Sequence, residues 1–168
     1  MFAKPVLVAA LSLAALTAAC APTVGPGPTL PMGSAFNAGD FAWSSRQGQG
    51  GIDGRVDFVR DGQTYSCTGS VALTPDTPYT RARFQTLYGS TERAALPEAV
   101  VRARTVPDAN ADYRAYVRSA TCSSGHFRFD GLPDGRWYLI APVSAGGDRM
   151  VLMQRVETRG GRTVSVTL

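Results

Sequence analysis

The stretch that decides the fold spans residues 125–141 and reads GHFRFDGLPDGRWYLIA. Phe127 and Phe129 alternate with a charged residue, so both aromatic side chains lie on one face of a strand. Residues 130–135 contain two Asp-Gly pairs and a proline, which predicts a tight turn. The alternation resumes at Trp137. The stretch therefore predicts two strands joined by a turn, with their aromatic residues in a core.

The rest of the chain has the composition of a protein built from short strands. Its 168 residues suggest one domain, and the counts of 18 glycines and 11 prolines suit many turns. We predict an all-β fold, an antiparallel β-sandwich of about seven strands, over residues 41–168. Further alternating segments occur at 41–43 (a short strand or a packed flap), 52–60, 63–67, 70–74, 99–104, 113–122, 149–157 and 163–168.

Residues 75–97 form the least regular part of the predicted domain. Within them, residues 80–88 predict one short helix, because Phe84 and Leu87 have helical spacing. Pro78 and Gly89 limit its length.

The N-terminus is typical of an exported bacterial lipoprotein. Residues 1–19 form a predicted signal peptide, since the apolar run from Val6 to Leu16 is too short to span a bilayer. Cys20 follows Thr-Ala-Ala, which resembles the cleavage motif that precedes a lipidated cysteine. The alternative is an ordinary cleavage site at residues 19–21, but this would place Pro22 directly after the cut.

The lipoprotein interpretation predicts where the protein lies. Acyl chains such as palmitate on Cys20 would anchor it, at about 0.8 kcal/mol per buried methylene. The sorting rule for such lipoproteins implies the outer membrane, facing the periplasm, because Ala21 rather than aspartate follows the cysteine. Residues 20–40 are rich in Pro, Gly, Ser and Thr, which predicts a lipidated, disordered tether.

Two cysteines remain after Cys20 is assigned to lipid. Cys67 and Cys122 both lie near the ends of predicted strands. In an exported protein, a single remaining pair is a candidate disulfide. A redox or metal role is disfavoured because no Cys-x-x-Cys spacing occurs.

The charge pattern argues against nucleic acid as a partner. The formal net charge is +4, and arginines are interleaved with aspartates and glutamates. No arginine cluster meets stacking aromatic residues in a recognisable module.

The motif GxFxFxGLPxGxWxL over residues 125–139 resembles the closing motif of carboxypeptidase regulatory-like domains, which are transthyretin-like (prealbumin-like) β-sandwiches. Residues 54–56 and 71–73 look like the first two strands of that family, and the resemblance covers residues 50–168. It implies a sandwich fold without the zinc peptidase domain of the carboxypeptidases. The segment 75–112 is longer than a simple inter-strand connection in this family.

The residues do not predict an enzyme or a resident cofactor. His126 is the one histidine, and its alternation with Phe127 directs it away from the core. Catalysis and zinc binding both require several converging groups. Asp130 and Asp134 sit in a turn where aspartate favours local backbone hydrogen bonds, although a weak calcium site there is an open alternative.

We therefore predict a non-catalytic envelope lipoprotein whose sandwich is a binding or assembly module. Its partners would be the membrane, through the anchor, and an envelope protein or glycan. The alternative is a carbohydrate-binding module, with a ligand surface at His126, Arg128 and Tyr138. Further candidates are Tyr113 and Tyr116, on opposite faces of their predicted strand, and Arg114 and Arg118, since arginines suit acidic sugars or phosphates.

Overall fold

The computed structural model describes residues 35–67, 69–106 and 112–168. The predicted signal peptide, Cys20 and most of the tether over residues 20–40 lie outside the described residues.

Ten strands and two α-helices make up the described fold, where the sequence predicts about seven strands. The first five strands are β1 (Gly50–Arg55), β2 (Phe58–Arg60), β3 (Gln63–Cys67), β4 (Ser70–Pro75) and β5 (Arg93–Pro97). The others are β6 (Arg118–Thr121), β7 (His126–Leu132), β8 (Gly135–Ala145), β9 (Asp148–Thr158) and β10 (Thr163–Thr167). The α-helices are α1 (Pro78–Tyr88) and α2 (Glu98–Ala103), and two 3-10 helices span Ala38–Ser45 and Asp112–Tyr116.

The strands form two sheets, which confirms the all-β sandwich. The small sheet has the order β10-β1-β7. In the large sheet, β8 pairs with β9 on one edge and with β3 and β4, end to end, on the other. The strands β2, β6 and β5 extend it beyond β3, β4 and β9. The pairing is antiparallel except between β1 and β10, which run parallel.

The core between the sheets is filled by the alternating residues that the sequence indicates. Phe127 and Phe129 of β7 are buried, and Trp137 and Leu139 of β8 are completely buried. The Trp137 indole N–H donates to the hydroxyl of Thr158 at 3.1 Å, so its polar group is satisfied. Each of these large side chains contributes about 1.5–3 kcal/mol by leaving water.

The turn between β7 and β8 is held by a side chain from its tip. The carboxylate of Asp134 accepts hydrogen bonds from the backbone N–H groups of Gly160, at 2.8 Å, and Gly161, at 3.3 Å. These two bonds lower the pKa of Asp134 and tie this turn to the turn between β9 and β10.

A layer of helices covers the outer face of the large sheet. The predicted helix near residues 80–88 is confirmed as α1, which begins after Thr77. The Thr77 hydroxyl accepts from the backbone N–H of Thr80 at 3.2 Å, and the Thr80 hydroxyl accepts from the N–H of Thr77 at 2.9 Å. The helix ends at Gly89, whose φ of 72° is left-handed. Among the described residues, no helix has the length and hydrophobicity needed to cross a membrane.

Three segments differ from the strands that their alternation predicts. Residues 41–43 lie in a 3-10 helix, with Asn37 accepting a hydrogen bond from the Gly39 N–H. Residues 98–103 are α2, where Arg102 pairs with Glu98 one turn earlier. Residues 112–116 are 3-10 helix, and only 118–121 are strand. Alternation along a single segment does not separate these structures, and tertiary contacts decide between them.

The predicted disulfide is confirmed between Cys67 and Cys122, which are 55 residues apart. It joins the end of β3 to the residue that follows β6. A loop of this length corresponds to about 4 kcal/mol of stabilisation in the chain-entropy description.

Gly135 allows Trp43 to pack against Trp137. A β-carbon on Gly135 would lie 2.1 Å from the Trp43 ring, and the rings of Trp43 and Trp137 are 4.8 Å apart between centroids. We expect Gly135→Ala to lower the free energy of unfolding by about 1–3 kcal/mol, because the Trp43 ring must move. Urea denaturation measures this, with Gly147→Ala as the control, since a β-carbon there meets no atom within 4 Å. Equal stability of the two variants would contradict the assigned contact.

Candidate functional site

The three residues of the predicted ligand surface do not come together. His126 and Arg128 are exposed on β7 of the small sheet. Arg128 already pairs with Asp130, at 2.9 Å, and with Asp53, at 3.5 Å. Tyr138 lies on the large sheet and has no exposed surface. The predicted surface is therefore wrong in its inclusion of Tyr138.

Tyr138 is buried because α1 covers the outer face of β8. The alternation correctly places it opposite Trp137, but its ring lies against Phe84 of α1, with 4.7 Å between centroids. The position of a helix over a sheet is a tertiary feature, and alternation along one strand carries no information about it.

A compensated charge cluster lies beside Tyr138. The side chain of Asp76 is completely buried, and its two oxygens lie 2.9 Å from Arg81 Nη2 and 3.1 Å from Arg155 Nε. Arg155 also pairs with Glu92. This cluster links the start of α1 to β9, so its ion pairs hold the helix against the sheet.

A polar depression lies at the edge where the first 3-10 helix meets the β7–β8 turn. We call it the Trp43 depression; its side chains come from Trp43, Arg46, Gln47, Gln49 and Asp134, together with the apolar Leu132 and Pro133. Its volume is about 410 Å³, within the range of small-molecule sites.

The polar side chains of the Trp43 depression are free to bind a ligand. Within the described part of the chain, Arg46, Gln47 and Gln49 have no side-chain hydrogen-bond or ion-pair partner, and neither does the indole N–H of Trp43. Each glutamine amide offers both donors and acceptors. Asp134 keeps unused lone pairs, and the hydrogen bonds from Gly160 and Gly161 lower its pKa.

Close backbone packing holds these side chains in place. The N–H of Gly48 donates to the carbonyl of Gly131 at 3.1 Å, and a β-carbon on Gly48 would lie 2.0 Å from the carbonyl oxygen of Leu132. Arg118 donates to the carbonyl of Ser44 at 2.7 Å. The loop that carries the glutamines is therefore fixed on the end of β7.

The sequence contains a signal for this site, although the glycine-rich residues 47–51 taken alone are typical of a turn. Residues 43–49 read WSSRQGQ, an aromatic ring followed by three flexible hydrogen-bonding side chains and a glycine. The pattern does not predict that this segment lies beside Asp134, because that position depends on the packing of two distant parts of the chain.

The described residues do not form a metal centre. No three histidine, cysteine or acidic side chains among residues 35–67, 69–106 and 112–168 are close enough to hold an ion. Asp130 pairs with Arg128, and Asp134 accepts from two glycine N–H groups, so both carboxylates of the turn have protein partners.

The fold resembles that of a solved protein. A candidate carbohydrate-binding protein from Pseudomonas aeruginosa has a TM-score of 0.53 and 22% sequence identity, covering 80% of this chain and 98% of that one. The minor pilin GBS52 of Streptococcus agalactiae is more distant, with a TM-score of 0.35, 18% identity, and coverage of 75% of this chain and 44% of the pilin. No protein-family model and no curated protein matches the chain. The first similarity supports the β-sandwich.

Burial between α1 and the large sheet predicts that two tyrosines, one from each element, titrate at unusually high pH. Burial raises the pKa of both Tyr88 and Tyr138 from 10.0 to about 12, and Asp76 adds to the shift of Tyr138. Their neutral phenols stabilise the fold below pH 10, and this contribution is lost between pH 10 and 12. We expect Tyr138→Phe to reduce the alkaline loss of unfolding free energy.

The measurement is the free energy of unfolding from pH 9 to 12, together with ultraviolet titration of the phenols. The urea-unfolded chain is the reference, since its tyrosines titrate together near pH 10. A Tyr138→Phe variant with an unchanged alkaline profile would refute the assignment.

Proposed function

We propose that this chain is a non-catalytic binding module of the bacterial cell envelope, and that its ligand is a carbohydrate bound in the Trp43 depression. The observation that carries the proposal is an aromatic ring beside several polar side chains without protein partners. The solved protein described as a candidate carbohydrate-binding protein makes this ligand class the first to test. We also propose that the sandwich is a carboxypeptidase regulatory-like domain, on the motif over residues 125–139.

The depression suits the chemistry of sugars. The apolar C–H face of a pyranose packs on an aromatic ring such as Trp43, while its hydroxyl groups both donate and accept hydrogen bonds. Gln47 and Gln49 satisfy both needs, and Asp134 and Arg46 add a charged acceptor and a charged donor.

A binding role fits the surroundings of the single histidine better than catalysis does. His126 lies on the exposed face of β7, and its backbone pairs with Ser123. The nearest charged side chains on that strand, Arg128 and Asp130, pair with each other. General acid–base catalysis requires groups that converge on one reacting atom.

The glycan proposal predicts a loss of affinity in glutamine variants. We expect Gln47→Ala and Gln49→Ala each to weaken glycan binding about 5- to 10-fold, because each removes hydrogen bonds worth about 1 kcal/mol. A bacterial glycan array identifies a binding glycan, and calorimetry with that glycan measures the change.

The control is Gln63→Ala, which changes an exposed glutamine of β3 that does not line the depression. Trp43→Phe keeps an aromatic ring and should retain part of the affinity. A silent array together with a specific protein captured by crosslinking in intact cells would instead support the assembly module. Binding that survives both glutamine changes would place the site elsewhere.

The lipid anchor predicts acylation that depends on Cys20. Cells fed an alkyne analogue of palmitate should label the wild-type protein, and Cys20→Ser should abolish the label because it removes the acylated thiol. Ala21→Asp is the matched variant: it should keep the label and move the protein from the outer to the inner membrane fraction. Labelling of Cys20→Ser would exclude this anchor.

A further inference from the structure

A second cleft lies on the opposite side of the large sheet, beneath α1. It is bounded by α1, the second 3-10 helix and the strands β4 and β6, and its volume is about 390 Å³. Its walls are largely aromatic and aliphatic, with Arg114 and Ser119 among its polar residues. It shares no residue with the Trp43 depression. We call it the tyrosine cleft, after Tyr88 and Tyr113.

Three arginines around the tyrosine cleft have no carboxylate partner in the part of the chain that the structure describes. The Arg83 guanidinium carbon lies 4.9 Å from the centroid of the Tyr113 ring. Arg104 donates to the backbone carbonyl of Leu87, a residue of the cleft, at 2.6 Å. The side chain of Arg114 has no hydrogen-bond or ion-pair partner among the described residues. Many arginines elsewhere are ion-paired, such as Arg81 with Asp76.

The charge of Arg83 is poorly compensated. Its Nε and Nη1 atoms are buried and have no hydrogen-bond partner. Guanidinium N–H groups that are buried without acceptors are costly, and the contact of Arg83 with Tyr113 offsets only part of that cost. Among residues 35–67, 69–106 and 112–168, no carboxylate lines the tyrosine cleft. The cleft therefore presents a positive potential together with an apolar interior.

We propose that the tyrosine cleft binds a small organic anion, with its carboxylate at Arg114 and its apolar body against the aromatic wall. Arg114 supplies a planar guanidinium, which can donate two parallel hydrogen bonds to one carboxylate. Phe84 and Leu87 contact the apolar body. Arg83 and Arg104 act through their charge, since their polar atoms are buried or already bonded. The proposal does not depend on the glycan site.

The probes are two anions, benzoate and octanoate, each compared with its neutral counterpart, benzyl alcohol and 1-octanol. Each compound is titrated into the full folded domain while NMR spectra are recorded. The shifts of the amide signals measure the affinity and locate the site. We expect at least one anion to bind about 10-fold more tightly than its alcohol, with shifted amide signals at Tyr113 and Ser119. Benzoate tests a flat body, and octanoate tests a linear chain.

Two variants test the site without altering the core. Arg114→Gln should weaken anion binding about 5- to 10-fold, whereas Arg162→Gln, which changes an exposed arginine remote from the cleft lining, should leave it unchanged. Ser119→Trp places a large ring at an exposed position of the cleft and should abolish binding of both anions. The proposal is overturned if anion and alcohol bind equally, if neither anion binds at millimolar concentration, or if binding survives Ser119→Trp.

Discussion

The packing of the Trp137 indole is the interaction on which the arrangement of the sheets depends. It is completely buried, donates to Thr158 on the neighbouring strand β9, and touches the ring of Trp43. The Arg118 guanidinium lies 5.6 Å from its ring centroid and also holds the carbonyl of Ser44. One side chain thereby connects the large sheet to the first 3-10 helix, and so places the loop that carries the glutamines beside Asp134. The candidate glycan site exists because this packing is satisfied.

The two faces of β8 serve different ends. Its inner face, with Trp137 and Leu139, builds the core shared with the small sheet. Its outer face, with Tyr138 and Ile140, is covered by α1 and borders the tyrosine cleft. The helices cover the outer face of the large sheet incompletely. This leaves a cleft at the edge of the helix layer. Both candidate sites therefore lie at borders of the core, where side chains can remain partly exposed.

Local pattern predicted those features whose physical cause is itself local. The shared face of Phe127 and Phe129, the turn within residues 130–135 and the short helix near residues 80–88 follow from strand periodicity, turn chemistry and helical spacing, respectively. The Cys67–Cys122 pair followed from the small number of possible partners. By contrast, residues 98–103 and 112–116 alternate too briefly to distinguish a strand from a helix. Their contacts with Arg149 and with Phe41 lie far away in the chain.

The sequence by itself determined the β-sandwich and the identity of most inward-facing aromatic residues, because burial at a period of two residues is encoded along each strand. It also determined the disulfide, because only two cysteines remain after Cys20. Only the tertiary structure decided which outward-facing residues meet solvent. Tyr138 has the right phase for a ligand surface and yet lies under α1, while Gln47 and Gln49 occur in what reads as an ordinary turn and yet flank Trp43. The physical reason is that the periodicity of a strand specifies the face of the sheet to which each side chain points. Whether that face is exposed depends on which distant segment of the chain packs over it.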